Sequence, residues 1–112
     1  MSGSSNVAYR LEITDKAEAD IEGVLIWFRE QGATAASQKW LTQLWDTLST
    51  LENRPERCAQ AEESQEVGRD VRQLLFGKHR GIYRILFEIQ DRSVIILRLW
   101  HGARDAITAN DL

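Results

Sequence analysis

The sequence predicts an α+β domain in which one sheet, with an antiparallel meander of three strands, packs against a hairpin of two helices. A short strand-like run comes first, and two long runs with apolar residues at helical spacing follow it. Three closely spaced runs with strand spacing complete the chain. The chain has 112 residues and is 43% hydrophobic, which suits one compact core. We therefore expect the order β-α-α-β-β-β, with residues 1–6 as a flexible Ser/Gly-rich leader and residues 7–112 as a single domain.

The first strand and the first helix are predicted from a change of period. Residues 7–13 alternate apolar and polar side chains, which is typical of a strand. Asp15 and Glu18 then have the spacing of a capping box, so a helix should begin there. Gly32 lies where a left-handed residue would end that helix. The apolar stripe of the first helix is expected to comprise Ala17, Ile21, Val24, Leu25 and Phe28.

A second helix follows after a short connection, so the two should fold back as an antiparallel hairpin. Its apolar residues recur at helical spacing up to Asn53, close to Pro55, before which helical geometry is disfavoured. Residues 55–70 are polar and acidic without a period. They are expected to form a connecting loop with, at most, a helical turn.

Three strands are expected near residues 71–76, 82–89 and 94–100, as an antiparallel meander with residues 90–93 as the last turn. In the middle strand, apolar and charged side chains alternate. Arg84 and Glu88 would therefore lie on the face opposite to Tyr83 and its apolar neighbours. We expect the apolar face to pack on the helices and the other face to be at least partly open.

The charges are unevenly distributed along the chain. The net charge is −3, but residues 1–68 contain 6 Lys/Arg and 12 Asp/Glu, whereas residues 69–112 contain 8 and 5. This asymmetry indicates either an anionic partner for the basic part or simply acidic helices before a basic sheet. The single Cys58 forms no internal disulfide, and no signal peptide or ~18-residue apolar run is present. A soluble, cytoplasmic protein is expected.

Several short motifs, taken together, resemble the RelE/ParE superfamily of bacterial toxins over roughly residues 9–107. In chain order they are Ala17 and Asp20-Ile21 on the first helix, the Gly77-Lys78 turn, the Gly81-Ile82-Tyr83-Arg84-Ile85-Leu86-Phe87 strand and the closing His101-Gly102-Ala103-Arg104-Asp105. The resemblance implies the toxin of a type II toxin–antitoxin, or plasmid stabilisation, system. It also implies a cognate antitoxin whose disordered segment wraps the toxin. The toxin would then occur as a homodimer or in a heterotetramer with the antitoxin.

The superfamily includes two activities. RelE-like members cut messenger RNA on the ribosome, and the resemblance places phosphate-binding arginines at Arg84 and Arg104. Arg72 could join them from the preceding strand, and His101 could transfer protons. Such an enzyme would be a metal-independent endoribonuclease, so no cofactor is expected. ParE-like members lack the catalytic set and inhibit DNA gyrase by binding it.

Structural roles compete with each catalytic assignment. Arg84 could pair with Glu88 or with an acidic helix residue, and residues 101–105 could be only a strand-ending turn. His79, a second proton-transfer candidate, belongs to a turn sequence and is expected to be solvated. No tyrosine follows Arg104, although RelE-like enzymes usually have one there.

Four tryptophans are many for this length. Trp40 falls on the apolar stripe of the second helix, whereas Trp27 and Trp45 fall beside their stripes and could face outward. Trp27, Trp45 and Trp100 are therefore candidates for binding a partner. The acidic balance and the missing tyrosine favour a ParE-like toxin acting on gyrase. The alternatives are a RelE-like nuclease and a non-toxic binding module with the same fold.

Overall fold

The computed structural model describes residues 8–78 and 81–112, and it confirms the α+β fold. The main elements are β1 (Arg10–Ile13), α1 (Asp15–Glu30), α2 (Thr34–Ser49), α3 (Ser64–Val67), β2 (Arg72–Phe76), β3 (Tyr83–Gln90) and β4 (Ser93–His101). Three 3₁₀ turns cover Thr50–Glu52, Pro55–Arg57 and Ala109–Asp111. The expected leader, the start of the first strand at Val7, and His79 lie outside the described residues. In the described part of the chain, no helix is long and apolar enough to span a membrane.

The sheet has the strand order β1-β4-β3-β2. β2, β3 and β4 form the expected antiparallel meander, whereas β1 pairs in parallel with β4. Asp91 and Arg92 connect β3 to β4, and Asp91 has a left-handed φ of 53°. The long crossover between β1 and the meander is provided by the helical hairpin, as a parallel connection requires.

A β-bulge in β4 decides which face its last residues occupy. Leu86 pairs with Arg98 but Phe87 pairs with Ile96, so Leu97 is an extra residue on β4. An extra residue reverses the alternation of the side chains that follow it. As a result, His101 lies opposite Tyr83 on the helix side, and Trp100 lies opposite Arg84 on the other side.

Helix α1 begins one residue earlier than the expected capping box implies. Thr14 is the N-cap, because its Oγ1 accepts a hydrogen bond from the Ala17 N–H. The same hydroxyl lies 2.9 Å from the carbonyl oxygen of Ile96, which ties the helix start to β4. The predicted capping box of Asp15 and Glu18 is therefore wrong. Gly32 does have the predicted left-handed φ, at 67°.

The main core lies between the two helices and the sheet. Residues 31–33 connect α1 to α2, and the two helices pack as a hairpin with Phe28 and Trp40 in ring contact at 6.1 Å. The buried members of this core are Ala17, Ile21, Leu44, Leu48, Leu51, Cys58, Phe76, Ile85, Phe87, Val94, Ile96 and Leu99. The predicted apolar stripes thus supply the helical side of the core.

The opposite face of the sheet is covered by the chain itself. Leu86, Leu97 and Trp100 pack there against Ala61, Val71 and Ile107, in a second small core. Residues 59–61 also pair with the outer edge of β2, since Gln73 N–H donates to Ala59 O and Ala61 N–H to Val71 O. The face is therefore largely covered, and the part that stays open, as expected, is near Leu75, which lies opposite Arg84 and is 58% exposed. The polar, aperiodic segment 55–70 folds over that face with two short helical turns, rather than looping away from it.

Candidate functional site

Arg84 is held in a two-pronged ion pair on the sheet face opposite the helices. Its terminal nitrogens donate to the two carboxylate oxygens of Glu63 at 2.8 and 2.6 Å, and its Nε donates to Gln73 Oε1 at 2.9 Å. The side chains of the pair are only 16% and 9% exposed. The hydrogen bonds from Arg84 lower the pKa of Glu63 to about 2. A phosphate could bind this guanidinium only by displacing Glu63.

The acidic first half and the basic second half of the chain neutralise each other internally. Arg84 and Arg98 come from the basic half, and their partners Glu63 and Asp20 from the acidic half. The alternative that Arg84 pairs with Glu88 is wrong, because Glu88 accepts instead from Arg69 at 2.8 Å. The asymmetry that could have indicated an anionic partner is thus partly used within the fold.

Arg72 projects on the other side of the sheet from Arg84. Arg72 on β2 lies directly opposite Phe87 on β3, a core residue on the helix side. Arg84 on β3 lies directly opposite Leu75 on β2. Directly opposite residues point to the same face. Arg72 donates to the carbonyl oxygens of Cys58 at 2.6 Å and Glu56 at 3.0 Å. The predicted convergence of Arg72 and Arg84 on one phosphate is therefore absent from this structure.

Cys58, whose reactivity the sequence leaves open, is buried in the main core. Burial raises the pKa of its thiol, and this outweighs the opposing effect of Arg57 and Arg72. A raised pKa disfavours the reactive thiolate. The residue behaves as a small apolar side chain in the fold.

Of the four predicted catalytic residues, His101 and Arg104 line a common cavity. The ring of His101 meets Tyr83 edge-on at 5.1 Å, and its Nδ1 accepts a hydrogen bond from Ala103 N–H. The guanidinium of Arg104 lies 3.7 Å from the centre of the Trp100 ring. Whether either residue acts in catalysis stays a prediction.

The three tryptophans proposed as partner contacts differ in exposure. Trp27 is 55% and Trp45 is 43% exposed, which agrees with their positions beside the apolar stripes. Trp100 is 3% exposed, and its indole N–H donates to Asp105 O at 2.8 Å. In this conformation Trp100 therefore supports the second core, while Trp27 and Trp45 present aromatic surface to solvent.

A groove of about 1010 Å³ lies between the helical hairpin and the β2–β3 connection. Aromatic rings in edge or tilted contact form its wall, in the order Trp27, Phe28, Trp40 and then both Phe76 and Tyr83. Burial in this wall raises the pKa of the Tyr83 hydroxyl. The charged residues that line the groove are Lys39, Asp46 and Lys78. Sequence reasoning missed this groove, because Phe28 and Phe76 looked like ordinary core positions.

The outer edge of β2 continues the groove. The N–H of Gln73 points outward to Ala59 O, and in an antiparallel strand the groups of Leu75, two residues on, point the same way. Among the described residues, no backbone group outside the sheet pairs with Leu75. The Leu75 side chain is 58% exposed and lines the groove. Backbone and side chain there are both accessible to an added strand.

A smaller cavity of about 350 Å³ lies between α1 and the end of β4. Its wall includes Asp20 and Gly23 of α1 together with Leu99 and Arg104. It shares Val24, Trp27, Tyr83 and His101 with the groove. Within residues 8–78 and 81–112, no three His, Cys, Asp or Glu side chains are grouped so that they could hold a metal ion.

Comparison with known proteins places this fold in a family. Residues 11–106 match the family model described as the ParE toxin of the type II toxin–antitoxin system parDE. A solved structure titled the chromosomal ParDE toxin–antitoxin system from P. aeruginosa contains a chain of similar fold, with a TM-score of 0.67 and 18% sequence identity. The match covers 84% of this chain and 96% of that chain. No curated protein matches the sequence significantly. Since the family model spans most of the chain, this protein belongs to the ParE toxin family of type II toxin–antitoxin systems, within the superfamily that its sequence resembles.

Proposed function

We propose that this type II toxin inhibits growth by binding DNA gyrase, and that a cognate antitoxin neutralises it by occupying the aromatic groove. The first part follows the ParE-like expectation from the sequence. The second part assigns the partner to the groove of about 1010 Å³. Cutting of messenger RNA is the competing activity.

The placement of the arginines is the observation that carries the choice between binding and cutting. A metal-independent ribonuclease needs cations that converge on the scissile phosphate, with an acid and a base beside them. Arg84 is instead paired with Glu63, and Arg72 projects on the opposite face. Removing one partner of such a buried pair costs about 3–5 kcal/mol. This arrangement supports action by protein contact.

The shape and chemistry of the groove support antitoxin binding. Its aromatic wall offers large apolar area to a segment that folds as it binds. The open edge of β2 at Leu75 offers main-chain hydrogen bonds to an extended part of that segment. Lys39 and Lys78 favour acidic residues in the antitoxin near the rim.

The target is tested by expression and by an assay in vitro. Induction of the chain alone should arrest growth, and the purified protein should inhibit supercoiling by gyrase while messenger RNA on ribosomes stays intact. Cleavage of messenger with unchanged supercoiling would instead establish the RelE-like alternative. Normal growth of cells that clearly express the folded protein would contradict toxicity and favour the third alternative, a non-toxic binding module.

The groove is tested with a pair of neighbouring exposed residues on α1. Trp27→Ala should weaken binding of the antitoxin encoded beside the toxin by about tenfold or more, as for a central aromatic contact. Ile26, which is 40% exposed, lines neither cavity, so Ile26→Ala should leave the affinity nearly unchanged. Titration calorimetry with the purified antitoxin measures both. Equal affinities for the two variants would exclude the groove as the antitoxin site.

A further inference from the structure

We propose that the smaller cavity, between α1 and the end of β4, receives a carboxylate-bearing side chain of the target protein. The inference rests on the proposed function, because it assumes that the toxin acts by contact with a protein. It adds the place of that contact and the chemistry of the group received there.

One wall of the cavity is a helix residue without a side chain, Gly23. Gly23 lies inside α1 and has no left-handed φ, so the backbone does not require glycine at this position. Glycine within a helix costs about 1 kcal/mol relative to alanine. A Cβ built on Gly23 would meet no atom within 4 Å. Packing within the chain therefore does not exclude a larger residue, and the absence of one leaves the cavity open.

The electrostatics of the cavity favour an anion. Its one acidic residue, Asp20, accepts two hydrogen bonds from Arg98 and one from Leu99 N–H, so its charge is already compensated. Arg104, in contrast, forms no ion pair within 4.0 Å and no side-chain hydrogen bond in the described chain. A compensating charge near it is that of Asp111, whose pKa is lowered mainly by hydrogen bonds from Thr108 and to a smaller extent by Arg98 and Arg104. Stacking on Trp100 holds the Arg104 guanidinium in place while leaving the N–H groups free to donate.

His101 supplies a second donor at the same place. Because its Nδ1 accepts from Ala103 N–H, the neutral ring carries its proton on Nε2. No described residue pairs with Nε2, and no buried side-chain nitrogen in that part of the chain lacks a partner. The Nε2–H is therefore open to solvent. His101 and Arg104 both line the cavity, so each is a candidate donor to a carboxylate bound there.

The surroundings favour a carboxylate on a protein over a phosphate of RNA. Leu99, Val24 and Trp27 supply apolar wall beside the donors, which suits the side chains that accompany a carboxylate in a folded partner. Binding to a nucleic acid backbone relies on several basic contacts, whereas the cavity has one arginine and the chain has a net charge of −3.

The wall shared by the two cavities gives a physical mechanism of neutralisation. Trp27, Tyr83 and His101 line the groove on one side and the smaller cavity on the other. An antitoxin segment lying on these residues would cover the approach to the carboxylate site. Antitoxin and target should therefore compete for the toxin.

The test fills the cavity or removes its charge while leaving the groove intact. Gly23→Leu and Arg104→Gln should each weaken binding and inhibition of purified gyrase by about tenfold or more, as loss of a central contact does. Both should bind the antitoxin within about twofold of the wild type, since neither Gly23 nor Arg104 lines the groove. Neither variant should melt below the wild type, and Gly23→Leu should melt slightly above it, because leucine is favoured over glycine within a helix. Ala36→Leu and Arg29→Gln are the matched controls, because both residues are exposed and line neither cavity.

The outcomes separate the two proposals. Gyrase inhibition by Gly23→Leu at the wild-type level would overturn the cavity assignment while the proposed function stands. If the wild-type chain arrests growth without affecting gyrase, the proposed target is wrong, and retained arrest by Gly23→Leu would overturn the cavity assignment as well. Messenger cleavage that is lost in both variants would show that the cavity takes an RNA phosphate, which contradicts the carboxylate.

Discussion

The two faces of the sheet are stabilised by different physical means. On the helix side, residues such as Ile85 and Phe87 are fully buried against Leu44 and Leu48. On the other side, apolar residues share the surface with the Glu63–Arg84 and Arg69–Glu88 ion pairs. The aromatic wall of the groove belongs to the helix side.

The difference shows where the fold leaves room for partners. Apolar surface continues past the core from Phe76 to Trp27. Its burial by another chain would be favourable, because it removes apolar area from water. Charges that are already paired, such as that of Arg84, gain little from an additional anion. The arginine that resembled a catalytic group in the sequence is thus already paired, while the apolar surface of the groove remains available.

The largest effect is expected from the helix side. Phe87→Ala should lower the free energy of unfolding by about 4 kcal/mol, because it removes a fully buried ring and leaves a cavity. Leu75→Ala, at a site that is 58% exposed, should change it by less than about 0.5 kcal/mol. Urea denaturation followed by tryptophan fluorescence measures both. A small loss for Phe87→Ala would mean that the main core does not carry most of the stability.

On the other face, Glu63→Gln should lower the free energy of unfolding by about 3 kcal/mol, because it leaves the Arg84 charge buried without its counterion. The matched variants are Arg84→Met and the double variant, which complete a double-mutant cycle. The double variant should be more stable than the sum of the single losses predicts, because it removes both charges together. Additive losses would show that the pair is not energetically coupled.

The same carboxylate makes stability depend on pH. The pKa of Glu63 is lowered from 4.5 to about 2 in the folded chain, chiefly by hydrogen bonds from Arg84. The stabilisation should be complete above pH 4.5 and be lost as the pH falls through about 2. After solvent screening, the loss should be on the order of 2 kcal/mol. Glu63→Gln should lack this part of the pH dependence, and unfolding at pH 6, 4 and 2.5 compares the two proteins.

The periodic parts of the fold could be predicted from the sequence. Helical spacing located α1 and α2, and alternation located β2, β3 and β4, because each of these elements buries one regular face. The cover over the second face could not be predicted, since Ala61 and Ile107 belong to segments without a period.

The candidate site was harder to predict because it depends on contacts between distant residues. Glu63 reaches Arg84 across 21 positions and Asp20 reaches Arg98 across 78, and no local pattern announces either pair. The bulge at Leu97 then moves Trp100 away from the helix side and His101 towards it. Exposure of Trp27 and Trp45 was predictable, since it follows from helical spacing alone.

The smallest effect should distinguish the two ion pairs of the polar face. Arg69 is 36% exposed and Glu88 is 13% exposed, whereas Arg84 and Glu63 are 16% and 9% exposed. Because solvent reaches Arg69 more than it reaches any other member of the two pairs, the attraction between Arg69 and Glu88 is screened more strongly than that between Arg84 and Glu63. Arg69→Gln should lower the free energy of unfolding by about 1 kcal/mol, near the upper range for accessible pairs. Added salt at 0.5 M should reduce that difference but leave most of the Glu63→Gln effect, because screening acts mainly on charges that solvent reaches. Equal losses of stability with equal salt dependence for Arg69→Gln and Glu63→Gln would show that the difference in exposure does not set the strength of the two pairs.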